Sequence, residues 1–368
     1  MRVFAALLSG TGPAPGPKGL GQAMAQAGLL EGTLQTAHEE MVQRGFGKTG
    51  DQAVFVAPEF WFSNAWTADD KFYSHDIKRW IVASLARMAK KYPNVLLIPG
   101  TVLWVKSKKD AAQVEKIASR YKTVEAHHEK AFGALKGKNY GQQFDFDWLK
   151  KAQTNEPGWS HSITQPVSGN LPKAPSPVDY LQASDDILIG QNTAYVCKGD
   201  VILKYHKIGN SAETGGYAKN IVFAPGSIAG QFLVGTVRYG LEICMDHWLG
   251  ILAESGAAKV DVQIVTSSTT ATRKFHFNSK PEAIFVHASN PPLQSGSLYS
   301  FGSTTKIGEY TRIRNYANQL FLDLVVVNSQ EHPNCSVSDP LKPIEPQVEG
   351  GLEGALPPVK HVHSNLLH

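Results

Sequence analysis

A carboxylate, an ammonium and a thiol each stand just beyond an apolar run. Glu59 follows Ala53–Ala57, Lys207 follows Val201–Tyr205, and Cys244 follows a run that begins at Phe232. Strand ends on one edge of a sheet converge in space, and α/β enzymes gather their chemistry there. These three groups form a coherent set. The carboxylate can take the thiol proton as general base and return it to a leaving amine. The ammonium favours thiolate and then stabilises the oxyanion of a tetrahedral intermediate. The plain alternative for Cys244 is a buried cysteine acting as a small hydrophobe.

The elements that must position these groups can be read along the chain. Residues 2–8 are a continuous apolar run, a buried strand. Leu20, Met24, Ala27, Leu30, Leu34, Ala37 and Met41 recur every three or four residues, which predicts one apolar helix stripe ended by Gly45 and Gly47. Ser74 is placed to cap a second helix lined by Ile77, Ile81, Leu85 and Met88, with Pro93 at its end. Val95–Ile98 and Thr101–Val105 read as strands. Asn192–Cys197 and Val201–Tyr205, joined by Lys198-Gly199-Asp200, read as a hairpin. Phe232–Tyr239 reads as one strand, Trp248–Ala253 as the helix that follows, and Cys244 as the turn between them. Val260–Thr266, Ala283–Ala288 and Leu320–Val327 are further buried strands. Alternating helices and strands predict an α/β chain with helices covering a sheet.

Between about Lys106 and Asp185 the character changes. Val114–Leu135 has helical potential, and Asn155–Pro177 carries five prolines. A loop-like segment this long inside a compact domain is commonly functional. It reads as an insertion, either a lid over the pocket or an oligomer contact. The organisation expected is a core of residues 1–328 interrupted by an insertion at 106–185, followed by an irregular tail, 329–368.

Composition narrows the class. With 42% apolar and 18% charged residues, the chain has the balance of a globular enzyme. Its net charge of +4 is slight for 368 residues, and no Lys/Arg block resembles a nucleic-acid footprint. Three cysteines, Cys197, Cys244 and Cys335, leave an odd number and argue for a reducing compartment. No stretch approaches the roughly 18 apolar residues of a membrane span. The expectation is a cytoplasmic protein with a small-molecule substrate and no nucleic-acid or membrane partner.

Three motifs make the reading specific. Ala57-Pro58-Glu59-Phe60, Tyr205-His206-Lys207-Ile208 and Glu242-Ile243-Cys244-Met245-Asp246 resemble, in order, the three signatures of the nitrilase (carbon–nitrogen hydrolase) superfamily. Phe223–Ser227 resembles the short turn that family has between lysine and cysteine, and Asn192–Val196 resembles the strand before its lysine. The resemblance covers roughly 1–105 and 186–328. It implies a four-layer αββα sandwich, a Glu59–Lys207–Cys244 triad and hydrolysis of an amide, carbamoyl or nitrile carbon through a covalent thioester or thioimidate. It implies no metal or organic cofactor, and subunits that pair into a homodimer or higher homo-oligomer. Glu213 is the candidate for the family's second glutamate. Phe60, Trp61, Met245, His247 and Ser267 are candidate substrate-binding residues, and Lys207 with the Met245 N–H are candidate oxyanion donors. Met245 replaces the aromatic residue usual after the cysteine, and the usual Pro-Glu ending is missing. Asp246 favours amidase over nitrilase.

Other readings are weaker. A Cys–His protease pairing would need His206 or His247, and His247 is only three residues from Cys244. His127-His128 and the tail residues His361, His363 and His368 lack the further ligands of a metal site. A non-catalytic scaffold would need none of Glu59, Lys207 and Cys244, and acyl transfer, in which an amine rather than water captures the thioester, would use the same three.

Overall fold

A computed structural model describes residues 1–9, 18–64, 71–107, 112–120, 123, 126, 188–209, 221–227, 229–268, 270, 276–289, 299–300, 309–315, 320–328 and 335–344. The chain divides into two units, residues 1–108 with 186–368, and residues 109–185. In the second unit, residues 112–120 form helix α3, with Val114 and Ile117 buried one turn apart on one face. The remainder of the Val114–Leu135 expectation (apart from residues 123 and 126), the Asn155–Pro177 segment and any lid lie outside the described residues.

The first unit is built on two sheets. Strands β1 (Arg2–Ser9), β2 (Asp51–Val56) and β3 (Leu96–Ile98) run parallel, with helices α1 (Leu20–Gln43) and α2 (His75–Lys91) in the connections between them. Sheet A continues through β4 (Thr101–Ser107), β5 (Leu188–Lys198), β6 (Val201–His206) and β7 (Ile221–Phe223). Sheet B begins with β8 (Gly230–Val234), β9 (Val237–Ile243), β10 (Val260–Ser267), β11 (Ser279–Ser289) and β12 (Tyr299–Ser300). The chain then returns to sheet A as β13 (Glu309–Asn315) and β14 (Leu320–Asn328), the latter antiparallel to β1.

Strand β1 is apolar from Val3 to Leu8 because both of its faces are covered. Phe4, Ala6 and Leu8 pack in one cluster with Ala27, Leu30 and Leu34 of α1. The buried face of α1 begins at Gln22 and Ala23, not at Leu20. Leu20 is exposed as the first residue of the helix, and Met24 is exposed because a 3.6-residue period turns it about a quarter-turn away from the face of Ala27, Leu30 and Leu34. Ser74 caps α2 by accepting the Ile77 N–H, as expected.

The inner faces of the two sheets meet. Tyr239 donates its hydroxyl to Gln52 Oε1 at 2.9 Å, and Thr266 Oγ1 donates to the Ala57 carbonyl at 2.9 Å. Residues alternate along β9, so Tyr239, Leu241 and Ile243 face inward while Gly240 and Glu242 face outward. Over that outer face lie two short helices, α4 (Met245–Leu249) and α5 (Ile251–Glu254); Leu252 of α5 sits against Gly240. The layers are therefore helices, sheet A, sheet B, helices, as the sequence expectation has them.

Three local expectations are corrected. Phe232–Tyr239 is not one strand. Gly235, at φ +59°, turns the chain between β8 and β9, and the two strands pair antiparallel. The helix after the thiol begins at Met245, not at Trp248, and Gly250 at φ +71° divides it from the next. The tail is not wholly irregular, because β15 (Leu341–Pro343) pairs with β8 at the edge of sheet B. Just before it, Gln52 Nε2 donates to the Ser336 carbonyl at 2.8 Å, Gly50 N–H to the Cys335 carbonyl, and Lys198 Nζ to the Val337 carbonyl. Residues 335–343 thus tie both sheets together at the N-terminal ends of β2 and β9. No helix among the described residues is long and apolar enough to cross a membrane.

Candidate active site

Glu59 sits in a tight turn at the C-terminal end of β2. Its own N–H donates to the Ser267 carbonyl at 3.2 Å, so sheet B braces a residue carried by sheet A. Phe60 follows with φ +63°, and its N–H donates to Thr101 Oγ1 at 2.9 Å. Gly100 is required beneath this turn. Its φ is +72°, and a Cβ there would stand 2.0 Å from the Pro58 carbonyl oxygen.

Lys207 leaves β6 with its N–H on the Asn192 carbonyl at 2.9 Å and its own carbonyl accepting from Gly226 at 2.8 Å. Gly226 lies so close to the His206 carbonyl that a Cβ would fall 2.1 Å from it. The side chain reaches Glu59, with Nζ 2.8 Å from Oε1. Asn192 Nδ2 donates to the same oxygen at 2.9 Å, and the Ser268 N–H donates to Oε2 at 3.1 Å. Glu59 and Lys207 are both fully buried. An ion pair taken from water is tolerable only when its remaining valences are met, and these three donors take three of the carboxylate's roughly four acceptor sites.

Cys244 ends β9 on the other sheet. Its N–H donates to the Thr266 carbonyl at 2.9 Å, and its carbonyl accepts from His247 and Trp248 at 3.1 and 3.2 Å. Its φ and ψ are 47° and −98°, unusual for any residue but glycine, and such a backbone costs on the order of 1–3 kcal/mol. The strain turns the chain sharply from strand to helix at the sulfur. Burial, then the negative charge of Glu59, pushes the thiol up to about 12, while Lys207 and the Thr270 hydroxyl pull it the other way. The group therefore rests as a thiol beside a base.

Asp246 locks the two strand ends to one another. Its Oδ1 accepts the N–H groups of Ile208 and Gly209 at 3.0 and 2.6 Å, and its Oδ2 accepts the Tyr205 hydroxyl at 2.8 Å. The residues flanking Lys207 are thereby held by a carboxylate two positions past the thiol. Burial pushes Asp246 up to about 7, against the Gly209 N–H, the charge of Lys207 and the Tyr205 hydroxyl.

The structure brings Glu59, Lys207 and Cys244 to one locus. The other candidates divide. Phe60 is half-buried, with Lys207 Nζ 5.9 Å from its ring centroid. Met245 is half-buried and lies against Gly209. Trp61 belongs to the α1 core, its Nε1 donating to the Gln26 carbonyl at 3.3 Å. His247 lies under the outer face of sheet B, with Nδ1 2.8 Å from Glu242 Oε2 and its ring beside Phe277 and Phe285. Ser267 presents its carbonyl to Glu59 and its hydroxyl to His287 Nε2 at 2.7 Å. Glu213 lies outside the described residues, as do the five histidines considered for metal. Among the described residues no group of three or more His, Cys, Asp or Glu side chains is arranged to hold a metal ion.

Sequence reasoning did not single out Thr270; it named Asn192 only as the start of a strand and used Asp246 only to choose between family branches. Asn192 had a signal: the two-residue turn at Gly199-Asp200 fixes a register in which Asn192 stands opposite Lys207. Thr270 had none, because it lies beyond the last residue of β10, outside any patterned element.

No family model and no curated protein matches the chain. Solved structures do match. The chain is similar to a carbon–nitrogen hydrolase from Helicobacter pylori G27, at 13% identity over 89% of each chain with a TM-score of 0.43. It is similar to an amidase from Nesterenkonia sp., at 12% identity over 90% of this chain and 92% of that one, TM-score 0.40. It is also similar to a glutamine-dependent NAD+ synthetase from Acinetobacter baumannii, at 12% identity over 93% of this chain and 45% of that one, TM-score 0.36.

Proposed function

We propose that this chain is a cysteine hydrolase of non-peptide C–N bonds, acting on a small amide or carbamoyl compound through a thioester. The observation that carries the reading is the meeting of the Glu59–Lys207 ion pair with the Cys244 thiol group at a strained strand-to-helix turn. The three motifs that resemble the nitrilase superfamily supply these same residues.

In this reading Glu59 takes the Cys244 proton as sulfur attacks the carbonyl carbon. The C–S bond forms, and the carbonyl π pair moves onto oxygen. Lys207 and the Met245 N–H stabilise that oxyanion. The C–N bond then breaks, and the departing nitrogen takes the proton from Glu59, leaving a thioester. Water attacks next and gives a proton to Glu59. The second tetrahedral species expels the sulfur, which recovers that proton. Glu59 ends ionised and Cys244 ends as a thiol, so each cycle closes. Phe60 and Met245, both half-buried near these groups, are the substrate contacts this reading favours. Glu213, as a second carboxylate orienting Lys207, belongs to the same proposal.

Ammonia release from a panel of small amides, carbamoyl amino acids and nitriles tests the reading. Release from an amide or carbamoyl compound is expected, with loss in Cys244→Ala and an unchanged circular dichroism spectrum. Release that persists in the variant removes Cys244 from the chemistry. Release from nitriles alone moves the assignment to nitrile hydrolysis by the same triad.

A further inference from the structure

Thr270 lies three residues beyond β10, buried, with its Oγ1 2.8 Å from Cys244 Sγ. Either atom could donate in that contact, but the sulfur has one proton to give. Glu59 also hydrogen-bonds the sulfur, and it is an ionised acceptor. A charged acceptor binds a proton donor about twice as strongly as a neutral hydroxyl does. The thiol proton therefore faces Glu59, and the Thr270 hydroxyl is left to donate to the sulfur.

The main chain at Thr270 is held for this purpose. Ser267 Oγ faces the Thr270 carbonyl at 3.5 Å and is hydrogen-bonded to His287 Nε2 at 2.7 Å. His287 is fully buried, and burial pushes it down to about 3, so this anchor is a neutral imidazole. Ser268, one residue after Ser267, gives its N–H to Glu59 Oε2. One short loop thus supports both the base and the hydroxyl.

We propose that Thr270 is a further catalytic residue of this site, a hydroxyl donor that stabilises the Cys244 thiolate while its proton is on Glu59. The proposal rests on the reading of Cys244 as nucleophile. In the step concerned, the S–H bond breaks, the proton passes to a Glu59 oxygen and the electron pair stays on sulfur. The Thr270 proton stays on its own oxygen throughout. As the C–S bond forms, the sulfur loses charge and the contact weakens. It strengthens again when the thioester breaks down.

The test does not depend on knowing the substrate. Alkylation of Cys244 by iodoacetamide at one fixed pH, followed by peptide mass spectrometry, reports thiolate availability directly. Thr270→Val keeps the shape and removes the donor, and should slow alkylation on the order of tenfold or more, the scale of a hydrogen bond to a charged group. Thr270→Ser keeps the donor and should stay within about threefold of wild type, well inside that margin. Equal rates in wild type and Thr270→Val would overturn the proposal, and so would a Thr270→Ser rate as slow as that of valine, which would make the role one of packing. If valine fails to fold, Thr270→Ala against Thr270→Ser gives the same comparison. Should alkylation follow this pattern while no C–N substrate is found, the hydrolase reading fails and the thiol-activating role of Thr270 stands.

Discussion

Burial and the Glu59 charge both hold the Cys244 proton in place, while the Lys207 ammonium favours its departure. The carboxylate thus opposes the thiolate at rest, and in the proposed reaction it takes the proton. Glu59→Gln separates these two actions. Turnover should fall by about a hundredfold or more, because the general base is gone. Removing the negative charge should at the same time lower the thiol pKa, so the pH profile of Cys244 alkylation should move to lower pH. Both rates falling together would instead point to a disrupted site, since Lys207 would be left as a buried charge without its counter-ion.

At the scale of elements, Asp246 joins the residues after β6 to the start of α4, and its own ionisation becomes part of the fold. Its folded pKa, about 7, lies above the ordinary carboxylate value of 3.8. The native state therefore holds a proton that the unfolded chain has released between those two values. Stability should fall as pH rises from about 4 to about 7, because the unfolded state binds fewer protons across that window. Asp246→Asn, which cannot ionise, should flatten that part of the curve. Thermal midpoints of both proteins across the window are the measurement, and parallel curves would show that Asp246 does not titrate there.

The strand ends that carry the site were legible because buried strands are apolar runs and their ends are marked by polar residues. The exception was Phe232–Tyr239, where the apolar run is interrupted only by the Gly235 turn and so hides a hairpin. His247 misled for a related reason. Sequence shows a histidine beside the proposed nucleophile, whereas the helix geometry directs it to Glu242 on the outer face of sheet B. Asp246 was legible as a residue but not as a clamp, because its partners, Tyr205, Ile208 and Gly209, are about 40 residues away.

For the whole molecule, the tail acts at the end opposite the site. Cys335, Val337 and Leu341 are buried, and residues 335–343 join sheet A to sheet B at the N-terminal ends of β2 and β9. A chain truncated after Asn334 gives up three buried side chains, each stabilising by about 1–3 kcal/mol. Its thermal midpoint should drop clearly while Cys244 alkylation below that midpoint stays near wild type. An unchanged midpoint would make the tail a passive covering. This strand was hidden from the sequence because three residues, Leu-Lys-Pro, acquire a strand's geometry only from the partner they pair with.

The proposed acid–base pair and the proposed nucleophile belong to different sheets: Glu59 and Lys207 end strands of one, and Cys244 ends a strand of the other. A chain severed between β7 and β8 would leave the proton acceptor on one fragment and the sulfur on its complement. Neither piece could begin a turnover, and chemistry would return only as the fragments recombined. The reaction itself would then report, in real time, the assembly of the molecule that performs it.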